Sequence, residues 1–163
     1  MTIQTQLDIV FRVLIAALLA SAVGYNRQHY DHPAGLRTHI LIGIGASLFT
    51  AMSLFAFGTN NPGIVAAQIV TGIGFLGAGS IIRGTQDPNQ VHGVTTAAGV
   101  WTTAALGMTC GAGLYLVAVL VAILTWIVLD VVGRFEKKQR IDLAIRLNTS
   151  NADGSKGSPP VRS

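Results

Sequence analysis

Apolar residues along this chain fall into five long segments separated by short polar or turn-forming breaks. No Asp, Glu, Lys or Arg occurs in the 45 residues from Thr38 to Ile82, or in the 42 residues from Pro88 to Leu129. A helix needs roughly 20 apolar residues to cross a bilayer, so each stretch has room for two helices and a turn. The pattern predicts an all-α polytopic membrane protein with five transmembrane helices, at about 7–25, 36–57, 63–82, 94–110 and 114–132.

Basic residues predict how these helices cross the membrane. Arg27 and Arg37 lie at the break after the first segment, Arg83 follows the third, and the basic run 134–140 follows the fifth. The two intervening breaks hold no Lys or Arg. Because cytoplasmic loops carry the excess of Lys and Arg, we expect the N-terminus outside and the C-terminus in the cytoplasm. This arrangement requires an odd number of spans, which agrees with five.

The composition excludes an ordinary soluble domain. Only 11% of the 163 residues are charged and 50% are hydrophobic, whereas soluble domains carry about 25% charged residues. The single cysteine, Cys110, excludes an internal disulfide and a multi-cysteine metal site. We expect a five-helix membrane domain at 1–135, its first span retained rather than cleaved because no basic region precedes it. Residues 136–163 are expected to be a short basic and polar cytoplasmic tail, largely disordered.

The third segment contains TGIGFLGAGSIIRG at 71–84, whose glycines have the spacing of a nucleotide-binding loop. Such a loop lies between a strand and a helix, and an acidic residue about 20 positions later binds the ribose. Here the glycines lie inside an apolar segment, and the residue twenty positions after Gly74 is Val94. The pattern therefore disfavours a nucleotide site, and neither a cofactor nor a nucleic-acid partner is expected.

Small residues spaced four apart instead predict close packing between helices. In lipid, helices associate through the backbone approach that small residues permit. The fourth segment carries such residues at every fourth position from Thr95 to Gly111. We therefore expect the glycine-rich third and fourth helices to pack centrally. The residues expected at these contacts are Gly72, Gly74, Gly77, Ala78, Gly79, Gly99, Thr103, Gly107 and Gly111.

Polar residues at membrane depth are costly, so each is a functional candidate with a structural role as the alternative. Asp8 and Arg12 are four residues apart and can pair on one helical face. Asp130 and Arg134 repeat this spacing at the inner end of the last segment, where snorkelling is the favoured interpretation. Gln68 lies in the third segment, where a hydrogen bond between helices is favoured over ion binding. The functional candidates are Asp8, Arg12, Asn26, Arg27, Arg37, Thr38, His39, Gln68, Arg83, Thr95 and Thr96.

Catalytic patterns are absent and metal-binding patterns are weak. The sequence has no Ser-His-Asp, Cys-His or paired-carboxylate arrangement, so no enzymatic activity is expected. His29, Asp31 and His32 share one loop and offer ligands for a metal ion, but solvated side chains are the favoured interpretation. A magnesium path needs oxygen ligands. The only acids near membrane depth, Asp8 and Asp130, lie towards opposite faces.

Three long motifs in this chain resemble the MgtC/SapB family of bacterial membrane proteins. They are PAGLRTHILIGIGASLF at 33–49, AAQIVTGIGFLGAGSIIR at 66–83 and VHGVTTAAGVWTTAALGMTCGAG at 91–113. The resemblance covers nearly the whole membrane part, about 12–113. The positions that match family motifs are Arg12, Arg27, Pro33, Gly35, Leu36, Arg37, Thr38, His39, Gln68, the glycines from Gly72 to Gly79, Arg83, Gly93, Thr96 and Trp101.

The resemblance implies a five-span protein of the bacterial cytoplasmic membrane that contributes to adaptation to low magnesium or stress, including survival inside host cells for some members. It favours a regulatory, non-enzymatic role over transport, with a homodimer, a small homo-oligomer or a membrane complex such as the ATP synthase as partner besides the bilayer. The alternative is a transporter of magnesium, another cation or a small solute that uses Arg37, His39, Gln68 and the central threonines. Lipid handling at the basic inner face is a third hypothesis.

Two departures from the family pattern change these expectations. Family members usually have Glu-Arg where this chain has Asn26-Arg27, so the best candidate cation ligand is absent. Many members also carry an ACT-like domain after the last span, whereas 28 residues follow Phe135 here. The chain is therefore expected to be a short member without that domain.

Overall fold

The computed structural model describes residues 1–28, 33–57, 61, 63–83 and 91–134. In this part the chain is helical, and a helix lies in each of the five predicted segments. The helices are α1 (Ile3–Gln28), α2 (Leu36–Phe55), α3 (Gly63–Gly79), α4 (Val94–Gly111) and α5 (Tyr115–Ile127), followed by a π-helical turn at Val128–Val132. Residues 1–126 form one compact unit, and a second unit begins at Ile127. The predicted tail, 136–163, lies outside the described residues.

Three of the described helices are long and apolar enough to cross a membrane. They are Ile3–Tyr25, Leu36–Phe55 and Tyr115–Val132, while α3 is a shorter apolar helix of 17 residues. An all-helical protein with such segments belongs in a lipid bilayer, where helices satisfy all backbone groups internally. These three helices agree with the prediction of helices long and apolar enough to span a membrane.

The third helix ends earlier than its apolar segment predicts. It stops at Gly79, and Ile82–Arg83 (β1) then pairs antiparallel with Val91–His92 (β2), with Ile82 opposite His92. Two-residue strands leave no recognisable alternation in a sequence, which is why the prediction continued the helix to residue 82. Gly93 joins β2 to α4 at φ 92°, and a Cβ there would overlap the carbonyl oxygen of Ser80. Only glycine fits both conditions.

The most extensive helix contacts in the described chain are those of α2 with α1 and with α4, and they involve small residues. A Cβ placed on Gly43 of α2 would lie 2.7 Å from Ala20 Cβ of α1. A Cβ on Gly107 of α4 would lie 2.6 Å from the carbonyl oxygen of Gly43. Such separations are too short for real side chains, so the three backbones approach as closely as glycine allows. Gly43 and Gly107 are therefore points of close contact between helices.

Helix α4 contacts α1, α2 and α3. The central position expected of α3 is not confirmed, since α3 lies mainly against α4 and makes few contacts with α2. Ile73 and Gly77 are its buried residues. A Cβ on Gly72, Gly74 or Gly79 would have no atom within 4 Å.

Helix α5 packs through alanines. Ala118 and Ala122 are buried in one cluster with Ala16 of α1 and with Leu106 and Cys110 of α4. Phe11 of α1 and Tyr115 of α5 make an edge-to-face ring contact, with centroids 5.9 Å apart. The remaining large side chains of α5 are mostly exposed, as expected of a helix that faces lipid.

Candidate functional site

A buried polar cluster lies where the end of α1 meets the beginnings of α2 and α4. It consists of Arg27, His39, Gly99 and Thr103, and we call it the Arg27 cluster. The position of α2 against α1 is set at Gly24, because a Cβ there would lie 2.9 Å from His39 Cβ and from Leu36 Cα. A larger residue at Gly24 would push α2 and its histidine away from α1.

Arg27 is the charged member of the cluster and is only 3% exposed. Its Nη2 donates a hydrogen bond to the carbonyl oxygen of Thr95, in the first turn of α4, at 3.1 Å. Its Nε is buried and has no hydrogen-bond partner among the described residues. A buried charge normally has a counter-ion or a full set of hydrogen bonds, so this donor is unusual.

His39 is fully buried and hydrogen-bonded to Thr103, with 2.7 Å between Nδ1 and Oγ1. The Thr103 hydroxyl also lies 2.9 Å from the carbonyl oxygen of Gly99 and has one hydrogen to donate. Nδ1 of His39 donates to Thr103 when that hydrogen points to Gly99, and accepts from it when the hydrogen points to the ring. The other nitrogen, Nε2, is buried without a partner in the described part of the chain.

Gly99 leaves a small space beside both side chains. A Cβ placed on it would lie 3.7 Å from His39 Cε1 and 3.9 Å from Arg27 Nε, which are ordinary contact distances. An alanine would therefore fit, unlike at Gly107 or Gly111 of the same helix. Gly99 was predicted as a helix-packing residue, but no backbone lies closest to it here. The four-residue spacing shows that Gly99 lies on the same face of α4 as Gly107, but it does not show which atoms of the other helices face it.

The Arg27 cluster is electropositive within the part of the chain that the structure describes. The beginning of a helix carries partial positive charge, and neither α2 nor α4 has a side-chain cap. The two acids among the described residues, Asp8 and Asp130, pair with Arg12 and Arg134. No carboxylate of the described chain thus balances Arg27.

A second polar cluster lies at the other end of α4 and consists of Asp8, Arg12, Phe55 and Gly111; we call it the Arg12 cluster. Arg12 Nε and Nη2 each lie 2.9 Å from Asp8 Oδ2, the pairing that their spacing predicts. Nη1 of Arg12 donates to the carbonyl oxygen of Gly111, the last residue of α4, at 2.9 Å. The guanidinium also lies 4.9 Å from the centroid of the Phe55 ring.

The other predicted functional residues are more scattered. Arg37, Thr38 and the side chain of Thr95 are exposed, whereas Thr96 is buried beside the Arg27 cluster on α4. The side chains of Asn26 and Arg83 lie outside the described part, as does the loop with His29, Asp31 and His32. Among the described residues no three His, Cys, Asp or Glu side chains come together as a metal site would require.

Gln68 lies in an apolar groove between α2 and α3, with Ala104 of α4 also lining it. The groove has a volume of about 500 Å³ and is otherwise bordered by aliphatic, glycine and phenylalanine residues. Its α3 side includes Gly72, one of the glycines with open surroundings. The groove is open because α3 contacts α2 so little.

Sequence reasoning missed three residues that matter for these clusters. Gly24 and Gly43 set the approach of α1 and α2, and Ser47 is a fully buried hydroxyl without a partner in the described chain. A signal was available for two of them, since Gly43, Ser47 and Ala51 repeat the small-residue spacing recognised in α4. Thr103 was expected to pack, and it also holds His39.

Apolar helices joined by buried polar clusters define this chain as an all-helical integral membrane protein. It belongs to the MgtC family, whose model matches residues 13–138. No solved structure matches it.

Three relatives illustrate the similarity. The putative magnesium transporter YhiD of Escherichia coli K12 is 40% identical over 132 residues, which are 76% of this chain and 60% of that protein. Protein MgtC of Brucella abortus is 48% identical over 99 residues, 61% of this chain and 40% of that protein. Protein MgtC of Salmonella typhimurium is 43% identical over 104 residues, 64% and 43% respectively. The chain therefore spans about two to three fifths of these relatives' lengths.

Proposed function

We propose that this protein is a regulatory, non-enzymatic member of its family that acts by helix-to-helix contact in adaptation to magnesium limitation or stress. Its partner is a second copy of the chain or a larger membrane complex, for which the family resemblance suggests the ATP synthase. The observation that carries the proposal is the face of α3 that carries Gly74, which has open surroundings. Gly72 and Gly79 are also open, on the side of the helix that lines the α2–α3 groove.

The α3 face supports contact with another helix for a physical reason. Glycines cost helix stability, about 1 kcal/mol each relative to alanine, and gain nothing when they face lipid. In a membrane their use is to let a second backbone approach closely. Gly43 and Gly107 already serve that purpose inside the molecule, whereas the three α3 glycines lack an intramolecular neighbour in the described chain.

The Arg27 cluster supports a role other than cation conduction. A fixed positive charge repels Mg²⁺, and a nearby imidazole is not the hard oxygen ligand that this ion prefers. The acids of the described chain are held in ion pairs near the ends of α1 and in the π-helical turn. A cation pathway would instead need free oxygen ligands along its length.

Cysteine cross-linking in native membranes tests the contact. In a Cys110→Ser background, Gly74→Cys places a thiol on the α3 face without a clash, and Leu116→Cys, at a side chain that is 74% exposed on α5, is the matched control. We expect cross-linked products from position 74 and not from position 116. Equal cross-linking at both positions, or none at position 74 under magnesium limitation, would contradict the proposal.

A functional variant separates contact from folding. Gly74→Leu has room within the chain, so we expect normal accumulation in the membrane but loss of the growth advantage that the wild type confers at low magnesium. Leu116→Ala should leave that advantage intact. A Gly74→Leu protein that supports growth like the wild type would count against a contact at this face.

We further propose that all five helices cross the bacterial cytoplasmic membrane, with the N-terminus outside and the C-terminus inside. Cys110 is fully buried and is a poor topology reporter. Exposed positions in the same Cys110→Ser background serve better: Ala112→Cys after α4 and Val91→Cys in β2. An impermeant maleimide should label position 112 in intact spheroplasts and position 91 only after permeabilisation. The reverse pattern would invert the orientation.

Transport of magnesium is the second candidate, because the relative YhiD is named a putative magnesium transporter. Gln68 in the α2–α3 groove and the exposed Arg37 are the residues to test. Purified protein in liposomes should show no magnesium flux above that of empty vesicles if the regulatory proposal holds. Flux that Gln68→Ala or Arg37→Ala abolishes would establish transport instead.

A further inference from the structure

Five exposed residues of α3 form one line along the side of the helix that points away from α4, and we call this line the α3 seam. They are Ile64, Gln68, Thr71, Phe75 and Ala78. Their separations alternate between four and three residues, which is the spacing of the contact positions a and d in a coiled coil. Ile73 and Gly77, the buried residues of α3, lie on the opposite side of the helix.

Gln68 places a strongly polar group of this seam at membrane depth. It is the sixth residue of α3, about 8 Å from the beginning of the helix at a rise of about 1.5 Å per residue. The whole helix has 17 residues and is about 26 Å long, which is less than the roughly 30 Å of hydrocarbon in a bilayer. An exposed amide that faces hydrocarbon is costly, because lipid tails offer it no hydrogen bond.

The amide of Gln68 is complementary to a copy of itself, because it carries both donors and an acceptor. Two copies of this chain have the same orientation in a membrane, so their α3 helices run parallel when a two-fold axis relates them. In a parallel pair of helices, each a or d residue faces the same residue of the other helix. Gln68 would therefore face Gln68 of the second copy, and glutamines do form such hydrogen bonds between membrane helices.

The sizes of the other seam residues suit the same pairing. The larger Gln68 and Phe75 alternate with the small Thr71 and Ala78, so side chains of one helix fit beside small residues of the other. Phe75 is 81% exposed, and an aromatic ring at a two-fold contact can pack on its counterpart. Gly74, next to the seam, leaves room for a second backbone.

We propose that the partner of α3 is a second copy of the chain, whose α3 packs in parallel on the α3 seam with the two Gln68 amides hydrogen-bonded across the two-fold axis. This inference rests on the helix contact of the proposed function and names the partner at that helix. A polar residue at one contact position fixes the register and the number of helices in a coiled coil. Gln68 therefore sets the register of the pair.

Disulfide formation in native membranes tests which side of α3 meets the second copy. In the Cys110→Ser background, Thr71→Cys and Phe75→Cys place thiols on the seam. Val70→Cys is the matched control, since Val70 is 42% exposed and lies at the same depth, but borders α4 instead. Two differently tagged versions are expressed together. We expect oxidation to give a product that carries both tags from positions 71 and 75, and little product from position 70.

Gln68→Leu tests the amide pair itself, and because Gln68 is exposed the leucine has room without disturbing the fold. Purified copies with a donor or an acceptor dye at Ala112→Cys are reconstituted in liposomes, and energy transfer is followed as the lipid content increases. We expect Gln68→Leu to raise the dissociation constant of the dimer roughly three- to tenfold, the effect of a hydrogen bond between membrane helices. Val70→Leu is the control that should dimerise like the wild type.

Three results would overturn the inference. The first is an equal disulfide yield at positions 70 and 71, and the second is a Gln68→Leu dimer that dissociates on dilution like the wild type. The third is a cross-linked product from position 74 that holds one copy of this chain and a different membrane protein. That third result would leave the proposed regulatory contact intact, whereas the absence of every product at positions 71, 74 and 75 would contradict both proposals.

Discussion

Helix α4 has an arginine at each end, and the two are held in opposite ways. Arg12 lies at the negative end of the helix, donates to its last carbonyl and pairs with Asp8. Arg27 lies at the positive end, donates to the Thr95 carbonyl, and has no acid beside it in the described chain. The helix dipole thus favours the first arrangement and opposes the second.

The glycines at the two ends of α4 also differ in how closely other helices approach them. Towards Arg12, Gly107 and Gly111 face the backbone of α2 so closely that no side chain fits. Towards Arg27, Gly99 faces two polar side chains at ordinary distances. At the Arg12 end, α4 is therefore held by close backbone contact and an ion pair. At the Arg27 end it is held by polar side-chain contacts, and no acid of the described residues balances the arginine.

The largest expected effect breaks the close packing. Gly107→Ala places a Cβ against the Gly43 carbonyl oxygen, and the backbone can move only by separating α2 from α4. We expect a loss of about 3 kcal/mol in the free energy of unfolding, measured in mixed micelles with increasing SDS. Gly99→Ala is the matched control and should raise the free energy of unfolding by about 0.5–1 kcal/mol. If both variants lowered, or both raised, the free energy of unfolding, the proposed difference between the two ends of α4 would be contradicted.

Removing the Thr103 hydroxyl should have the next largest effect. Thr103→Val keeps the shape but deprives the buried His39 Nδ1 of its hydrogen-bond partner, which we expect to cost about 2 kcal/mol. Thr102→Val is the control, because that hydroxyl bonds only the Ala98 carbonyl of its own helix. Equal stability of the two variants would show that the histidine contact is dispensable.

A smaller effect is expected at the arginines themselves. Arg12→Met removes the hydrogen bond to Gly111 and the ion pair of a side chain that is 14% exposed, and should cost about 1 kcal/mol. Arg27→Met also removes one hydrogen bond, together with a buried charge that no acid of the described residues balances. We therefore expect a smaller loss, or a gain, in the free energy of unfolding. A clearly larger loss at Arg27 would mean that the chain already neutralises it.

The smallest effect is expected at Asp8. Its side chain is 41% exposed, so water screens the pair with Arg12. Asp8→Asn should cost about 0.5 kcal/mol, a difference that shrinks as salt is added. Unfolding curves at low and high ionic strength check both statements. A salt-independent loss of several times this size would indicate a structural role beyond the ion pair.

Much of the helical framework could be predicted because lipid imposes a simple pattern. The predicted second and fourth segments begin at residues 36 and 94, where α2 and α4 begin. The ion pair Asp8–Arg12 follows from helical spacing alone. Asp130 and Arg134 share this spacing and also pair, although snorkelling is the interpretation favoured there from the sequence. Such features depend on residues near one another in the chain, so the local sequence pattern is enough to predict them.

Features that depend on contacts between distant segments could not be predicted. The His39–Thr103 bond joins residues 64 positions apart, and neither residue has a pattern that names the other. Gly99 and Gly107 occupy equivalent places in one repeat, yet one faces a guanidinium and the other a backbone carbonyl. The β1–β2 pair was missed because two-residue strands within apolar sequence look like helix. The functional roles of these residues stay predictions.

The way in which α3 is attached has a mechanical consequence. Gly77 meets Ala97 of α4 at an ordinary contact distance of 3.6 Å, and Ile73 packs in one cluster with Val100 and Ala104 of α4. Helix α3 is therefore held by aliphatic side chains, which can shift by changing rotamer, whereas α2 and α4 meet backbone to backbone at Gly107. Small movements of α3 could accommodate a helix from outside without separating α2 from α4.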